Sequence, residues 1–172
     1  MMQVIYTVGY EGTTINAFIA VLKSVGVTML ADVRAVPISR KKGFSKNALR
    51  QHLEEAGIAY RHFVELGDPK EGREAARRGA MDEFRTVYSR HLKTDGAISA
   101  LADLEGCCAA DVVCMMCFER DPEGCHRTMI AGELAGEGLA TFDLYADDPQ
   151  RYVRNAPNFS RCHNHQSLAA AE

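Results

Sequence analysis

The run DVVCMMC at residues 111–117 constrains the chain more than any other segment. After its leading Asp it is wholly apolar, at strand length, and polar sequence bounds it. A run of that kind is expected of a strand buried on both faces, as at the centre of a parallel sheet. Such a strand needs similar strands beside it and helices above and below it. The rest of the chain supplies both. QVIYTVG, residues 3–9, is apolar and β-branched and ends at Gly9. Thr13 or Thr14 then caps a helix in which Ile15, Phe18, Ile19 and Leu22 recur, closed by Gly26. VTMLADVR, residues 27–34, reads as a second strand, and Pro37 ends regular structure after it. Ser45 caps a helix through Leu49, Leu53 and Ala56, and IAYRHFV, residues 58–64, follows as a third strand. Residues 65–80 carry Gly67, Pro69, Gly72 and Gly79 and read as a long loop with room for one helical piece. Helices over roughly 80–93 and 95–105 lead to the central strand. A helix over roughly 123–136 and the strand LATFDLY, residues 139–145, complete the pattern.

Strand–helix alternation predicts a single-domain α/β three-layer sandwich, with a mainly parallel sheet of about five strands and helices on both faces. The domain is expected over residues 1–145, and the tail 146–172 is expected to be partly extended or mobile. With 172 residues, 47% of them hydrophobic, the chain buries a core without disulfide staples. The six cysteines, at 107, 108, 114, 117, 125 and 162, are too clustered for a secreted disulfide scaffold and are read as reduced thiols. A net charge of −3 excludes a globally basic nucleic-acid coat, though not a local basic site. No apolar run reaches membrane-span length and no signal peptide is legible, so a soluble cytoplasmic protein is expected.

In open parallel sheets, ligands bind beyond the carboxyl ends of the strands. Three such ends carry reactive residues: Gly9-Tyr10-Glu11-Gly12, Asp32-Val33-Arg34, and Cys117-Phe118-Glu119-Arg120. Downstream, Asp121 and Pro122 suit a helix start, placing Cys125, His126 and Arg127 near an anion-attracting helix end. Arg127 is expected to bind an anion and, with the helix dipole, to lower the pKa of Cys117 or Cys125. Either thiol is then a nucleophile, with His126 or Asp32 as acid–base partner. Arg34 and Arg40 are the further anion-binding candidates.

Each residue also has a plainer role. Asp32 and Arg34 lie on one face of their strand and make an ion pair that closes its end. Glu11 and Glu119 are either solvated or serve as carboxylates for nucleoside glycosyl chemistry. Cys114 and Cys117 fall on opposite strand faces, so they form no metal-binding knuckle. Arg40, Lys41, Lys42, Lys46 and Arg50, with no acid among residues 35–50, are either a solvated face or an arm for nucleic acid. Cys162-His163-Asn164-His165 has ligand chemistry but no second cluster at zinc-finger spacing, so no metal or cofactor is assigned. The phosphate-loop, dinucleotide, nucleophile-elbow and C-x5-R fingerprints are absent.

TVGYEG, LADVRAVPISRKKGFSKNAL, GIAYRHFVELGDP and CFERDPEGCHRTMIAGEL together resemble the family labelled domain of unknown function 488, over residues 3–145. The combination of DVR-x-x-P-x-S-R and C-x-E-x-x-P-x-x-C-H-R carries the resemblance. It implies an α/β sandwich in small bacterial and archaeal proteins, with no established activity. It marks Glu11, Asp32, Arg34, Pro37, Ser39, Arg40, Cys117, Glu119, Cys125, His126 and Arg127 as signature positions without assigning them roles. Gly9-Tyr10-Glu11 departs from the family's frequent Gly-His-Ser after the first strand. The expected function is an enzyme acting on a phosphate-bearing small molecule or nucleotide. A non-catalytic nucleic-acid-binding protein is the alternative from another class.

Overall fold

The structure is a computed structural model that describes residues 3–148 and Tyr152. Five strands, β1 (Val4–Gly9), β2 (Met29–Asp32), β3 (Ala59–His62), β4 (Val113–Cys117) and β5 (Ala140–Tyr145), form one sheet in the order β3-β2-β4-β1-β5. Every pairing is parallel. Among the described residues, the helices that cover it are α1 (Ile15–Ser24), α2 (Lys46–Glu55), α3 (Lys70–Arg77), α4 (Met81–His91), α5 (Asp95–Ala110) and α6 (His126–Gly136). The three-layer α/β sandwich expected from the sequence is therefore present.

The order follows from connection handedness. From β1 through β2 to β3 the chain steps towards one edge, and α1 and α2 pack on one face. From β3 to β4 and on to β5 it steps back, and α3 to α6 pack on the other. Right-handed crossovers require this change of face with direction. β4 splits its side chains between the two cores. Val113, Met115 and Cys117 join Phe84, Tyr88, Leu104 and Ile130, while Cys114 and Met116 join Phe18, Leu22, Leu49 and Leu53. A period of two on a strand buried on both sides is the reason its sequence is unbroken by polar residues.

Local signals set the helix ends. Thr14 Oγ1 accepts from Ala17 N at 3.2 Å to start α1, and Thr94 Oγ1 accepts from Ala97 N at 3.3 Å to start α5. Residues 65–80, read as a loop with one helical piece, hold a short 3-10 turn ending at Leu66 and the helix α3. The helix expected over roughly 123–136 is divided. A 3-10 turn spans Pro122–Gly124, capped by Asp121 Oδ1 on Glu123 N at 3.0 Å. Cys125 then turns extended, at φ −128° and ψ 147°, and α6 starts at His126. The domain's packing runs past residue 145: Thr13 Oγ1 donates to Ala146 O at 2.5 Å, and Tyr152 is buried. The rest of the tail, including Cys162, His163 and His165, lies outside the described residues. Among the described residues, no helix is long and apolar enough to cross a membrane.

Gly9, at the end of β1, is required by close approach. A Cβ there would lie 1.7 Å from Glu119 O. Gly9→Ala is expected to force the loop after β4 away and destabilise the fold by about 1–3 kcal/mol, as read by urea denaturation.

Candidate active site at the carboxyl rim of the sheet

Neighbouring strands β1 and β4 send their following helices, α1 and α6, to opposite faces of the sheet, and a crevice opens where they part. Two backbone bonds carry the pairing over the rim: Tyr10 N donates to Cys117 O at 3.2 Å and Glu11 N to Phe118 O at 2.8 Å. Above them lies a cavity of about 700 Å³. Its floor is Tyr10, Glu11, Cys117, Phe118 and Glu119, with Arg34, Ala35 and Val36 from the end of β2. Asp68 and the α3 residues Arg73, Ala76 and Arg77 line it as well, and His126 sits at the start of α6. The expected convergence of the three strand ends is thus found.

Arg127 differs from its expected part. It is fully buried, and its guanidinium is used inside the protein. Nε donates to Thr7 Oγ1 at 3.1 Å. Nη1 donates to Cys117 Sγ at 2.8 Å and Glu119 O at 2.6 Å, and Nη2 to Arg120 O at 3.1 Å. These bonds shape the Cys117–Arg120 loop and leave little of the cation for a ligand. Arg34 is likewise committed. Its Nε and Nη2 clasp Asp32 at 2.8 and 2.7 Å, and Nη1 donates to Phe44 O at 2.8 Å. Burial works against the Arg34 charge, but the Asp32 carboxylate outweighs it and holds the guanidinium protonated. Tyr60 OH also donates to Asp32, at 2.7 Å. The strand-closing ion pair is therefore real, and it forms one edge of the cavity. Arg40 is exposed and, among the described residues, lies outside the cavity lining. Lys42, Lys46 and Arg50 are exposed too, and Arg50 pairs with Glu54 at 2.8 Å.

The thiols also depart from expectation. Burial pushes the Cys117 thiol well up, more than the neighbouring Arg127 lowers it. Cys117 Sγ lies 3.1 Å from Glu119 Oε2, placed to donate its proton. Cys125 is buried beside it, and Cys117 Sγ, Cys125 Sγ and a Glu119 carboxylate oxygen all lie within 4.8 Å of one another. His126 Nε2 is 2.8 Å from Val33 O, which accepts only from an N–H. The Nδ1 lone pair is then turned to Cys125 Sγ, at 3.6 Å. Glu11 Oε2 accepts from Arg120 N at 3.0 Å, so it braces the loop after β4 while facing the cavity.

Sequence reading missed Asp68, Arg73 and Arg77. Asp68 is buried, lines the cavity, and its Oδ1 finds no hydrogen-bond partner among the described residues. Gly72 makes room for it: a Cβ there would fall 2.1 Å from Asp68 Oδ1. Burial pushes Asp68 up to about 6, against the opposing pull of cations such as Arg73. Arg73 donates to the Asp68 backbone carbonyl and stays half-exposed, and Arg77 is exposed one turn further along α3. The GDP tripeptide at 67–69 and the R-x-x-x-R spacing were the signals available.

The family model described as domain of unknown function DUF488 matches residues 14–134. The chain belongs to this family. The match takes in the DVR signature, Asp68, the α3 arginines and the cysteine-rich loop after β4. No curated protein and no solved structure matches the chain.

The raised Asp68 value has a sign. The unfolded carboxyl loses its proton near 3.8 and the folded one near about 6. The folded state therefore binds more protons between these values, and stability falls as pH rises through that window. Asp68→Asn is expected to flatten the fall and to stabilise the protein near neutral pH by about 1–2 kcal/mol, as read by urea denaturation at a series of pH values.

Proposed function

We propose that the protein is an enzyme acting on a phosphate-bearing small molecule or nucleotide held in the rim cavity, with Asp68 moving the proton. The observation that carries this reading is an unpartnered, buried carboxyl oxygen in a cavity that two arginines also line, Arg77 exposed and Arg73 half-exposed with one N–H on the Asp68 carbonyl. Arg73 and Arg77, four residues apart on α3, lie side by side and offer two forks to a phosphate. Facing them, Tyr10, Phe118, Val36 and Ile38 give an apolar surface suited to a ring or base. The volume is of the size that small-molecule ligands fill.

A carboxyl group that titrates near neutrality suits general acid–base work. Protonated, Asp68 gives a proton to a leaving group. Ionised, it takes one from water or a hydroxyl. Glu11 and Glu119, which line the same cavity, add carboxylates for hydrolysis or group transfer, including chemistry at a nucleoside. Cys117 is less suited to attack, because burial keeps its thiol protonated.

Calorimetric titration with inorganic phosphate and with nucleoside monophosphates tests the reading. The Arg73→Met/Arg77→Met double variant is expected to bind at least ~10-fold more weakly while staying folded, since two charge-assisted contacts are lost, with a stability loss of about 1–2 kcal/mol from the broken Arg73 bond to the Asp68 carbonyl. Arg34→Met is expected to cost about 3–5 kcal/mol of stability instead, because it strands buried Asp32. Equal binding by the double variant, or no binding of any phosphate compound by the wild-type chain, would sink the proposal.

A further inference from the structure

The geometry points to a binding site for a zinc-class divalent cation made by Cys117, Cys125 and Glu119, with its remaining coordination position open to the rim cavity. This goes beyond the anion reading and does not rest on it. Three observations carry it.

The first is the donor set. Two thiol sulfurs and a carboxylate oxygen lie within 4.8 Å of one another. Around tetrahedral zinc, with bonds of about 2.3 Å to sulfur and about 2.0 Å to oxygen, neighbouring donors stand roughly 3.5–3.8 Å apart. The cluster closes on a cation with side-chain shifts of about an ångström. Thiolates select zinc over magnesium or calcium. Packing alone does not call for this grouping. Cys114, the thiol on the other sheet face, has only a 3.6 Å contact to Met115 O, whereas Cys117 faces a carboxylate.

The second is the support around the donors. Cys117 ends the central strand, and Cys125 is the residue before α6, so both sulfurs hang from rigid elements. Arg127 Nη1 donates to Cys117 Sγ at 2.8 Å, the kind of outer bond that orients a ligand and stabilises its thiolate. His126, locked on Val33 O, turns its Nδ1 lone pair to the Cys125 side of the cluster.

The third is charge. When the cation enters, the two thiols release their two protons to solvent, so the charge of the enclosed group does not change. Glu119 and Arg127 already oppose one another. No uncompensated charge is buried, which removes the usual penalty of an interior ion. Cys117 and Glu119 also line the cavity while Arg127 closes the inner side, so the open position faces the cavity. Three protein ligands with one open position is the pattern of catalytic rather than structural zinc.

The full chain, reduced and stripped of metal, is titrated with Zn²⁺ against a competing chelator, and separately with Co²⁺ followed by absorption. About one zinc per chain is expected, and cobalt should show tetrahedral bands with sulfur-to-cobalt charge transfer. Cys117→Ser and Cys125→Ser are each expected to weaken binding by at least ~100-fold, and Glu119→Gln by about 10–100-fold. Cys114→Ser and Cys162→Ser should bind as the wild type does. Glu119 is half-exposed, so its variant stays informative if a cysteine variant fails to fold. Absence of the charge-transfer band in the wild-type chain overturns the proposal. So does wild-type affinity with an undiminished band in Cys125→Ser, or loss of the band in Cys162→Ser. These readouts are of metal alone, so they stand or fall separately from phosphate binding.

Discussion

The rim of this sheet depends on one buried cation. Arg127 reaches from the first turn of α6 to Thr7 on β1, to Cys117 at the end of β4, and to the carbonyls of Glu119 and Arg120. A guanidinium taken out of water is tolerable only when its N–H groups are met and its charge is answered. Here the acceptors are the sulfur and backbone of the very loop that carries the candidate site. The bonds that satisfy the arginine therefore also fix where Cys117 and Glu119 stand. Gly9 completes the arrangement by letting β1 run against Glu119 O.

A second arginine does the same for the neighbouring strand. Arg34 clasps Asp32, reaches Phe44 O, and so ties the end of β2 to the start of the α2 segment. Two of the three signature arginines, Arg34 and Arg127, thus hold strand ends in place. The cations left for a ligand stand across the cavity on α3, where Arg73 and Arg77 have water or the cavity beside them. The division is physical: a buried guanidinium must be paired within the fold, whereas a half-exposed one can trade hydration for a ligand.

Asp68 is the counterpoint. Structural carboxylates are met by donors, as Asp32 is by Arg34 and Tyr60. Asp68 has an oxygen without one and a pKa raised to about 6 by burial. Keeping such a group costs stability near neutral pH, and sites that act on ligands are where costs of that kind are found. It lines the same cavity as Cys117 and Glu119 of the cysteine–glutamate cluster.

The architecture was legible because burial on both faces leaves a plain mark. VVCMMC is unbroken by polar residues since both faces of β4 are covered, and the periodic apolar positions around Phe18 and Leu53 announce the covering helices. The helix cap at Thr14 and the family signatures were equally local. The strand ends and their gathering on one rim followed from parallel topology. Beyond the Asp32–Arg34 pair, the partner of each charge did not follow. Whether Arg127 meets a ligand or Cys117, whether burial or a nearby cation governs a thiol, and whether Asp68 finds a donor all depend on residues tens of positions apart. Arg73 and Arg77 fell in a stretch read as a long loop with one helical piece, and only α3 brings them to the cavity. By itself the sequence determined the layers, because hydrophobic periodicity is a property of neighbours along the chain. Only the tertiary structure decided which polar groups are satisfied and which are left for chemistry, because hydrogen bonding and desolvation are properties of neighbours in space.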